Sequence, residues 1–303
     1  RECYDFYCQL SFLTPFLVGV SEDGQLTGLV CGYTISDGNA IKRFFSRRAI
    51  VPGGLLLAED ISEDALIALL DELKRQLTDK AIYIEFRNYN DYTAYRASIE
   101  SAGFIYKPHL NFRVNTPDVE TAFKNLNTTK RRDVRLSLKQ GAEILLVNNT
   151  KDVQVYYKIL KQLYQEKIKT PLFPLEFFEK LALSDAGRLF VVKYQHEIIG
   201  GSVCVAFDNK TLYEWFVCGR DGELKNIFPS TLATWAAIEY AAANKFEKFD
   251  MMGAGKPEEG YGVRQFKSKF GGELVEHGRF LYVINPLLYK TGEFAIKLLR
   301  KRK

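Results

Sequence analysis

A strand that runs into a glycine-rich loop and then into a basic helix is the segment best suited to chemistry. It spans residues 248–273 and carries Asp250 at the strand end, Gly253 in the loop, and Arg264 and Lys267 beyond it. Glycines let backbone N–H groups approach a phosphate or carboxylate, and a cation one turn on supplies charge. The segment therefore predicts a site for an anionic group. The alternative is a surface turn with solvated basic side chains.

Two common nucleotide-binding motifs are absent from this segment, which argues against ATP and dinucleotides as ligands. The segment matches neither the GxxxxGK[ST] loop of ATP-binding proteins nor the GxGxxG turn of dinucleotide-binding proteins. Phe266 and Phe270 flank Lys267 and are expected to anchor the helix while the lysine projects. Asp250 is a candidate general base or orienting group, and the alternative is that it caps the following turn.

Composition is that of an ordinary globular protein. The 303 residues carry a net charge of +5, with 47% apolar and 26% charged residues, which allows an anionic partner without requiring one. Five cysteines without metal-ligand spacing and three scattered histidines support neither a metal site nor a Ser-His-Asp triad. A reducing cytoplasm is expected, and no apolar run is long enough to span a membrane.

The two ends of the chain carry further expectations. The sequence starts at Arg1 rather than Met, so some N-terminal sequence is expected to precede it. The tail from Lys297 to Lys303 is basic and would allow peripheral contact with anionic lipid or RNA. The alternative is a frayed, solvated terminus.

The elements that must position the site occur twice. A strand, a tight turn and a glycine-interrupted strand lie at 16–30 and again at 189–203, roughly 170 residues apart, which is far longer than a solenoid repeat. Each is followed by a helix, a strand, a short helix and a glycine-closed strand entry, at 102–104 and 270–272. Two similar domains are therefore expected, with a cleft between them for a long substrate.

The predicted fold class is α/β (α+β), with mixed sheets flanked by helices. The first domain is predicted at 1–116. The second, at 117–303, includes a helical hairpin at about 117–141 and the basic tail. Ser62 is expected to cap a helix over 62–78, because Glu63 and Asp64 follow it and suit the helix dipole.

Four stretches resemble one family. Residues 250–253 with 265–273 are similar to the C-terminal signature of the Fem-type peptidyltransferases, the FemABX group of tandem GNAT-fold (acyl-CoA N-acyltransferase-like) enzymes. Residues 125–144 resemble the stretch that opens the family's second domain, and 44–54 its first-domain strand and loop. Pro229-Ser230-Thr231-Leu232 before a helix fits the related acyltransferase pattern.

The resemblance implies two tandem GNAT-like domains in a bacterial transferase of cell-wall peptidoglycan biosynthesis. Such an enzyme transfers an aminoacyl group from aminoacyl-tRNA to an amine on a nucleotide- or lipid-linked muropeptide, without a metal. It would act in the cytoplasm, with peripheral membrane association allowed. Lys267 would be catalytic, stabilising the charge that develops in acyl transfer, and Asp250 would assist it.

The resemblance also implies substrate-binding residues. Lys130, Arg131 and Arg132 would contact phosphates of substrate or tRNA, although the exposed face of a helix would look the same. Tyr213 and Glu214 would orient the amine, and a structural tyrosine with a solvent-facing glutamate is the alternative. The full set is Lys130, Arg131, Arg132, Tyr213, Glu214, Arg264 and Gly253.

One departure keeps other functions open. GNAT acetyltransferases carry a [QR]xxGx[GA] pyrophosphate loop, which residues 219–226 do not match, so acyl-CoA is disfavoured as donor. The first alternative is an acyl-CoA-dependent N-acyltransferase acting on another amine. The second is a non-catalytic GNAT-like protein that binds a ligand or RNA through residues 130–135 and the tail.

Overall fold

A computed structural model describes residues 2–260 and 262–301, together with their side chains except those of residues 40 and 295–301. The side chains of the predicted basic tail thus lie outside the described residues. No helix of the described part is both long and apolar enough to cross a bilayer. The helices are α1 (Glu2–Cys8), α2 (Ala40–Ser46), α3 (Glu63–Leu77), α4 (Arg96–Ser101), α5 (Val119–Asn125), α6 (Thr128–Lys139), α7 (Thr150–Leu163), α8 (Leu175–Ala182), α9 (Pro229–Ala243), α10 (Gly262–Lys267) and α11 (Pro286–Lys301).

The described strands form two mixed sheets flanked by helices, which confirms the predicted fold class. The chain divides into two compact units, residues 1–109 with 276–303 and residues 110–275. The strands are β1 (Thr14–Glu22), β2 (Gln25–Ile35), β3 (Arg48–Gly53), β4 (Leu56–Leu57), β5 (Tyr83–Asn88), β6 (Ile105–Lys107), β7 (Leu110–Asn115), β8 (Glu143–Val147), β9 (Gly187–Tyr194), β10 (Glu197–Phe207), β11 (Thr211–Gly219), β12 (Lys248–Gly253), β13 (Glu273–Glu276) and β14 (Arg279–Val283).

The first unit is built on the sheet β1-β2-β3-β5-β14-β6, with β4 paired to β2. Within it β3 and β5 run parallel. Helix α3 packs one leucine-rich face on the sheet because apolar residues recur every three to four positions. The Ser62 hydroxyl accepts a hydrogen bond from the N–H of Ala65 at 3.1 Å, which confirms the predicted helix start.

The second unit is built on the sheet β13-β7-β12-β11-β10-β9-β8. Helix α9 connects the parallel strands β11 and β12 and is buried on almost every side, as its run of Ala, Leu, Trp and Ile requires. The region predicted as a helical hairpin contains the two consecutive helices α5 and α6. The Asn127 side chain caps α6 by accepting from the N–H of Lys130 at 2.8 Å, and Gly141, with φ +90°, follows its end.

Both units repeat one order of elements. The hairpins β1-β2 and β9-β10 are antiparallel, and the pairs β3-β5 and β11-β12 are parallel. A short helix follows each parallel pair, and Gly103 and Gly271 come after these helices with φ of +88° and +79°. Both glycines adopt the left-handed backbone that favours residues without a Cβ.

The unit boundaries differ from those predicted, because two strands exchange sheets. Strand β7 lies between β12 and β13, and β14 lies at the equivalent place between β5 and β6. Pairs such as Val114 with Phe249, and Phe280 with Phe86, assign each strand to its sheet. The prediction placed β7 with the first domain and the C-terminal residues with the second. An apolar alternation identifies a strand but not its partner.

Candidate functional site

The parallel strands β11 and β12 separate at their carboxyl ends. They pair at only three positions, the last joining Tyr213 to Asp250. Beyond that point the register of β12 against β7 shifts before Gly253, and Met252 adopts a left-handed backbone with φ +59°. Glu214 is the first residue of β11 past the last pair. Ligands of open α/β sheets bind at the carboxyl ends of the strands, so this divergence is the natural place for a site.

Lys267 lies at this divergence. It is the last residue of α10 and is 7% exposed. Its ammonium donates to the carbonyl of Met251 and to that of Gly253, at 2.9 Å in the second case. The bulge in β12 frees these carbonyls from the strand ladder, and buried carbonyls need a donor. Lys267 therefore satisfies the backbone of the bulge.

Two buried carboxylates interact electrostatically with Lys267, namely those of Glu214 and Asp250. Glu214 Oε1 accepts a hydrogen bond from the Ser202 hydroxyl at 3.1 Å. Its Oε2 is buried, and the Thr234 hydroxyl is close enough to lower the pKa of the carboxyl, although the two atoms do not complete a well-formed hydrogen bond. A buried carboxylate oxygen with an incomplete hydrogen bond is costly and marks a position where a proton or a ligand donor is favoured.

Burial shifts the pKa values of Glu214 and Lys267 towards each other. It raises the pKa of the Glu214 carboxyl, and the Lys267 ammonium offsets part of that shift. It lowers the pKa of Lys267, against the attraction of Glu214 and Asp250. Opposite pKa shifts in an acid and a base that interact electrostatically reduce the free-energy cost of moving a proton between them. The pair is thus chemically suited to acid–base work.

Asp250 holds the bulge together. Its Oδ2 accepts from Arg113 Nε at 3.2 Å, and its Oδ1 accepts from the N–H of Met252 at 2.7 Å. Arg113 is its register partner on β7. Burial raises the pKa of Asp250, while the Met252 N–H and Arg113 oppose this. The contacts make Asp250 a positioning residue for the bulge, and its role as a general base stays a prediction.

The loop after β12 differs from the predicted anion cradle. Arg264 donates to the carbonyls of Ala254 at 2.9 Å, Pro257 at 3.1 Å and Lys256. Together with the carbonyl of Gly253 bound to Lys267, the loop turns backbone oxygens, rather than N–H groups, towards cations. In this arrangement Arg264 and Gly253 organise the loop, and their contact with substrate stays a prediction.

Lys130 lies inside the second unit. Its ammonium donates to the Thr231 hydroxyl at 2.6 Å and lies over the rings of Phe266, 4.1 Å from the centroid, and Phe270, 5.2 Å away. These are the rings that flank Lys267. Lys130 therefore supports α10 from behind, whereas the sequence placed it among the phosphate-contacting residues.

The other predicted cations stay on the surface of α6. Arg131 donates to the carbonyl of Lys124 at 2.5 Å, and Arg132 forms an ion pair with Asp133 at 2.9 Å. They line a shallow basic groove of about 400 Å³ with the other residues of that helix face, Thr128, Arg135, Leu136 and Lys139. Phosphate contact by Arg131 and Arg132 stays a prediction.

Tyr213 and Glu214 point to opposite faces of the sheet, as neighbouring strand residues do. Tyr213 shares its face with Asp250 and Arg113, and burial, followed by the charge of Asp250, raises its pKa. Glu214 faces Ser202 instead. The structure therefore separates two residues that the sequence placed in one role, and their contact with an amine stays a prediction.

Three residues of the site were missed by sequence reasoning, namely Arg113, Ser202 and Thr234. Arg113 stands at a polar position of β7, whose sequence alternates apolar and polar residues, so the strand pattern does not distinguish it from a solvent-facing side chain. Ser202 and Thr234 sit in apolar stretches where a hydroxyl suggests nothing by itself. Their proximity to Glu214 depends on how β10, β11 and α9 pack.

The N-terminus of α9 is already occupied by a carboxylate. Asp221 accepts from the backbone N–H of Ser230 at 3.2 Å and from the Ser230 hydroxyl. A helix N-terminus is a ready site for phosphate, but here the positive end of the dipole faces a negative side chain.

A pH titration tests the buried position of Lys130. Burial lowers its pKa from 10.5 to about 8, although Asp133 and Asp221 raise it. Because the pKa is lower in the folded state, the folded chain holds fewer protons than the unfolded chain between these values, and stability rises with pH across that window. We expect wild type to gain up to about 3 kcal/mol relative to Lys130→Met between pH 7 and pH 10 in urea unfolding.

Lys139→Met, an exposed lysine of the same helix, is the matched control and should leave the pH profile unchanged. A constant difference between wild type and Lys130→Met across this range would show that Lys130 titrates as an exposed lysine.

Comparison with known proteins shows similarity to one sequence family and to several solved structures. Residues 184–297, which include Glu214, Asp250 and Lys267, match the model of the FemAB family. The structure is similar to FemX, with a TM-score of 0.71 and 16% identity over 96% of this chain and 93% of that one. No curated protein sequence matches the chain significantly.

Two further structures share the fold. L-PGS from Bacillus licheniformis aligns with a TM-score of 0.60 and 14% identity, over 97% of this chain and 91% of that one. A tandem GNAT protein from the clavulanic acid biosynthesis pathway aligns with a TM-score of 0.57 and 9% identity, over 91% and 85%. The resemblance to the FemABX-type group is therefore confirmed, by the family match over 184–297 and by a fold shared with FemX along almost the whole chain.

Proposed function

We propose that this protein is a Fem-type transferase that moves an aminoacyl group from aminoacyl-tRNA to an amine of a peptidoglycan precursor. The observation that supports it most is the buried Glu214–Lys267 pair at the divergence of β11 and β12, within the segment that matches the FemAB family. Acyl transfer to an amine needs a group that accepts a proton and a group that stabilises negative charge. This pair supplies both.

The chemistry follows from the reacting groups. The acceptor amine attacks the carbonyl carbon of the aminoacyl ester, so a C–N bond forms while the carbonyl oxygen gains negative charge. The C–O bond to the ribose then breaks, and the ribose hydroxyl leaves with a proton. In the proposal the Lys267 ammonium stabilises the negative oxygen. Oε2 of Glu214 accepts the proton that the amine loses and delivers it to the ribose oxygen as the C–O bond breaks.

The donor is inferred from α9. The diphosphate of an acyl-CoA would meet the carboxylate of Asp221 at the helix N-terminus, where like charges repel. This arrangement supports aminoacyl-tRNA as donor and disfavours the acyl-CoA alternative. The basic groove of α6, with Arg131, Arg132 and Arg135, provides charge suited to the phosphates of tRNA or of the acceptor.

Contact with an anionic membrane, as a lipid-linked acceptor would require, is part of the proposal. Helix α2 exposes Ile41, Phe44 and Phe45, each close to half exposed or more, beside Lys42 and Arg43. Exposed aromatic and aliphatic side chains among cations suit the interface of an anionic bilayer. This surface supports the lipid-linked acceptor over the nucleotide-linked one.

The test is a transfer assay with purified protein. Radiolabelled aminoacyl-tRNA is offered with UDP-linked muramoyl pentapeptide, or with the lipid-linked muropeptide in vesicles, and labelled acetyl-CoA replaces the tRNA in a parallel series. We expect label from aminoacyl-tRNA in a muropeptide, more strongly with the lipid-linked form. Label from acetyl-CoA alone would contradict the donor assignment, and transfer only to the nucleotide-linked form would contradict the acceptor.

A further inference from the structure

Two arginines face each other directly in the sheet of the first unit. Arg87 of β5 and Arg279 of β14 are register partners in an antiparallel pair. Arg87 follows Phe86, and Arg279 precedes Phe280. Both phenylalanines point into the core against α3, so the arginines lie on the other face of the sheet. Like charges directly opposite each other destabilise a strand pair. An arginine pair at this position therefore needs negative charge nearby.

One carboxylate serves both arginines. Glu85 Oε1 accepts from Arg87 Nε at 2.5 Å and from Arg279 Nη1 at 3.0 Å. Burial raises the pKa of Glu85, but the two arginines lower it further, so the carboxylate is ionised. Burial and the charge of Arg87 both lower the pKa of Arg279, against the attraction of Glu85. Among the described residues, these two arginines share one carboxylate, so one positive charge is not balanced by an acid.

A nearby ion pair shows what a balanced arrangement looks like on the same sheet. Arg48 pairs one-to-one with Asp37 at 2.7 Å. On the same sheet, Arg87 and Arg279 share a single acid, and their side chains are 42% and 30% exposed, so their unused donors are accessible to a ligand.

The terminal nitrogens of the two arginines differ in what they contact. Arg87 Nη1 and Nη2 donate to no other described residue, whereas Arg279 Nη2 donates to His109 Nε2 at 3.0 Å. Tyr33 and Tyr89 lie close enough to Arg87 to interact with it electrostatically. A planar guanidinium with both terminal nitrogens free matches a phosphate or carboxylate in a bidentate manner.

We propose that Arg87 and Arg279, with His109 beside them, form an anion-binding site that takes a phosphate or carboxylate group of a ligand. The incoming anion supplies the second negative charge and relieves the repulsion across the strand pair. The site lies within the first unit and rests on no assumption about the transfer reaction.

The test is binding of two simple anions, measured by calorimetry and thermal unfolding at constant ionic strength. Sodium pyrophosphate represents the phosphate source, and N-acetyl-dialanine the carboxylate source, with sodium chloride as reference. We expect at least one of them to stabilise wild type, and Arg87→Gln and Arg279→Gln to bind it at least tenfold more weakly. Without ligand, Arg87→Gln should be as stable as wild type or more so, because a repulsion is removed.

Arg75→Gln is the matched control, since Arg75 is an exposed arginine of the same unit that also pairs with a glutamate. It should bind like wild type. Arg87→Lys keeps the charge and loses the fork, so it should fold and bind more weakly. Equal binding by wild type and Arg87→Gln, or no stabilisation of wild type by either anion, would overturn the proposal. Neither result depends on transferase activity, so the site and the proposed function can fail separately.

Discussion

Replacing Lys267 with methionine is expected to reduce turnover about 10²- to 10³-fold, which is the effect of removing one group that stabilises developing charge in acyl transfer. Methionine keeps most of the volume of the side chain, so the core around it stays filled. The variant leaves the carbonyls of Met251 and Gly253 without their donor, and a loss of about 2 kcal/mol in unfolding free energy should accompany it. The transfer assay and urea unfolding measure the two effects separately.

Lys269→Met is the matched control, because Lys269 follows two residues later and is exposed. It should retain wild-type turnover. Near-normal activity of Lys267→Met would remove Lys267 from the mechanism and leave it as a support for the β12 bulge. Glu214→Gln separates these cases further, since loss of a proton acceptor should alter the pH dependence of turnover, whereas a purely structural role should not.

Sequence patterns predicted those parts of the fold and of the site that depend on residues close together in sequence. The aromatic flanks of Lys267, the cap at Ser62 and the consecutive helices α5 and α6 each follow from residues within one turn or two of one another. Lys267 was also identified, but as a projecting lysine. Its burial depends on the bulge at Met252, and no local pattern predicts a left-handed methionine.

What the sequence could not predict is pairing between distant segments. Arg87 and Arg279 are opposite each other only because β14 joins β5 across most of the chain. Lys130 is buried only because α10 and the turn after it place the rings of Phe266 and Phe270 beside its ammonium. A basic side chain is predicted to be solvated when its partners lie far away in sequence. Here two of the predicted surface or site cations, Lys130 and Lys267, are buried and support neighbouring elements.

Asp250→Ala is expected to lower the free energy of unfolding by about 3 kcal/mol, because it removes the carboxylate that pairs with the partly buried Arg113 guanidinium and the acceptor for the Met252 N–H. Asp71→Ala is the matched control, since Asp71 is exposed and pairs with Lys74 on the surface of α3. It should cost less than about 1 kcal/mol. Urea unfolding of both variants against wild type measures the difference.

Asp250→Asn then decides between the two roles of this residue. Asparagine still accepts the Met252 N–H but carries no charge and is a poor base. A positioning residue predicts that this variant loses stability and turnover together while the pH dependence of turnover stays unchanged, because Glu214 still titrates. A general base predicts the reverse, a stable protein whose turnover no longer responds to pH in the acidic limb. Since both Asp250 oxygens accept well-formed hydrogen bonds while Oε2 of Glu214 does not, the first result is the one expected.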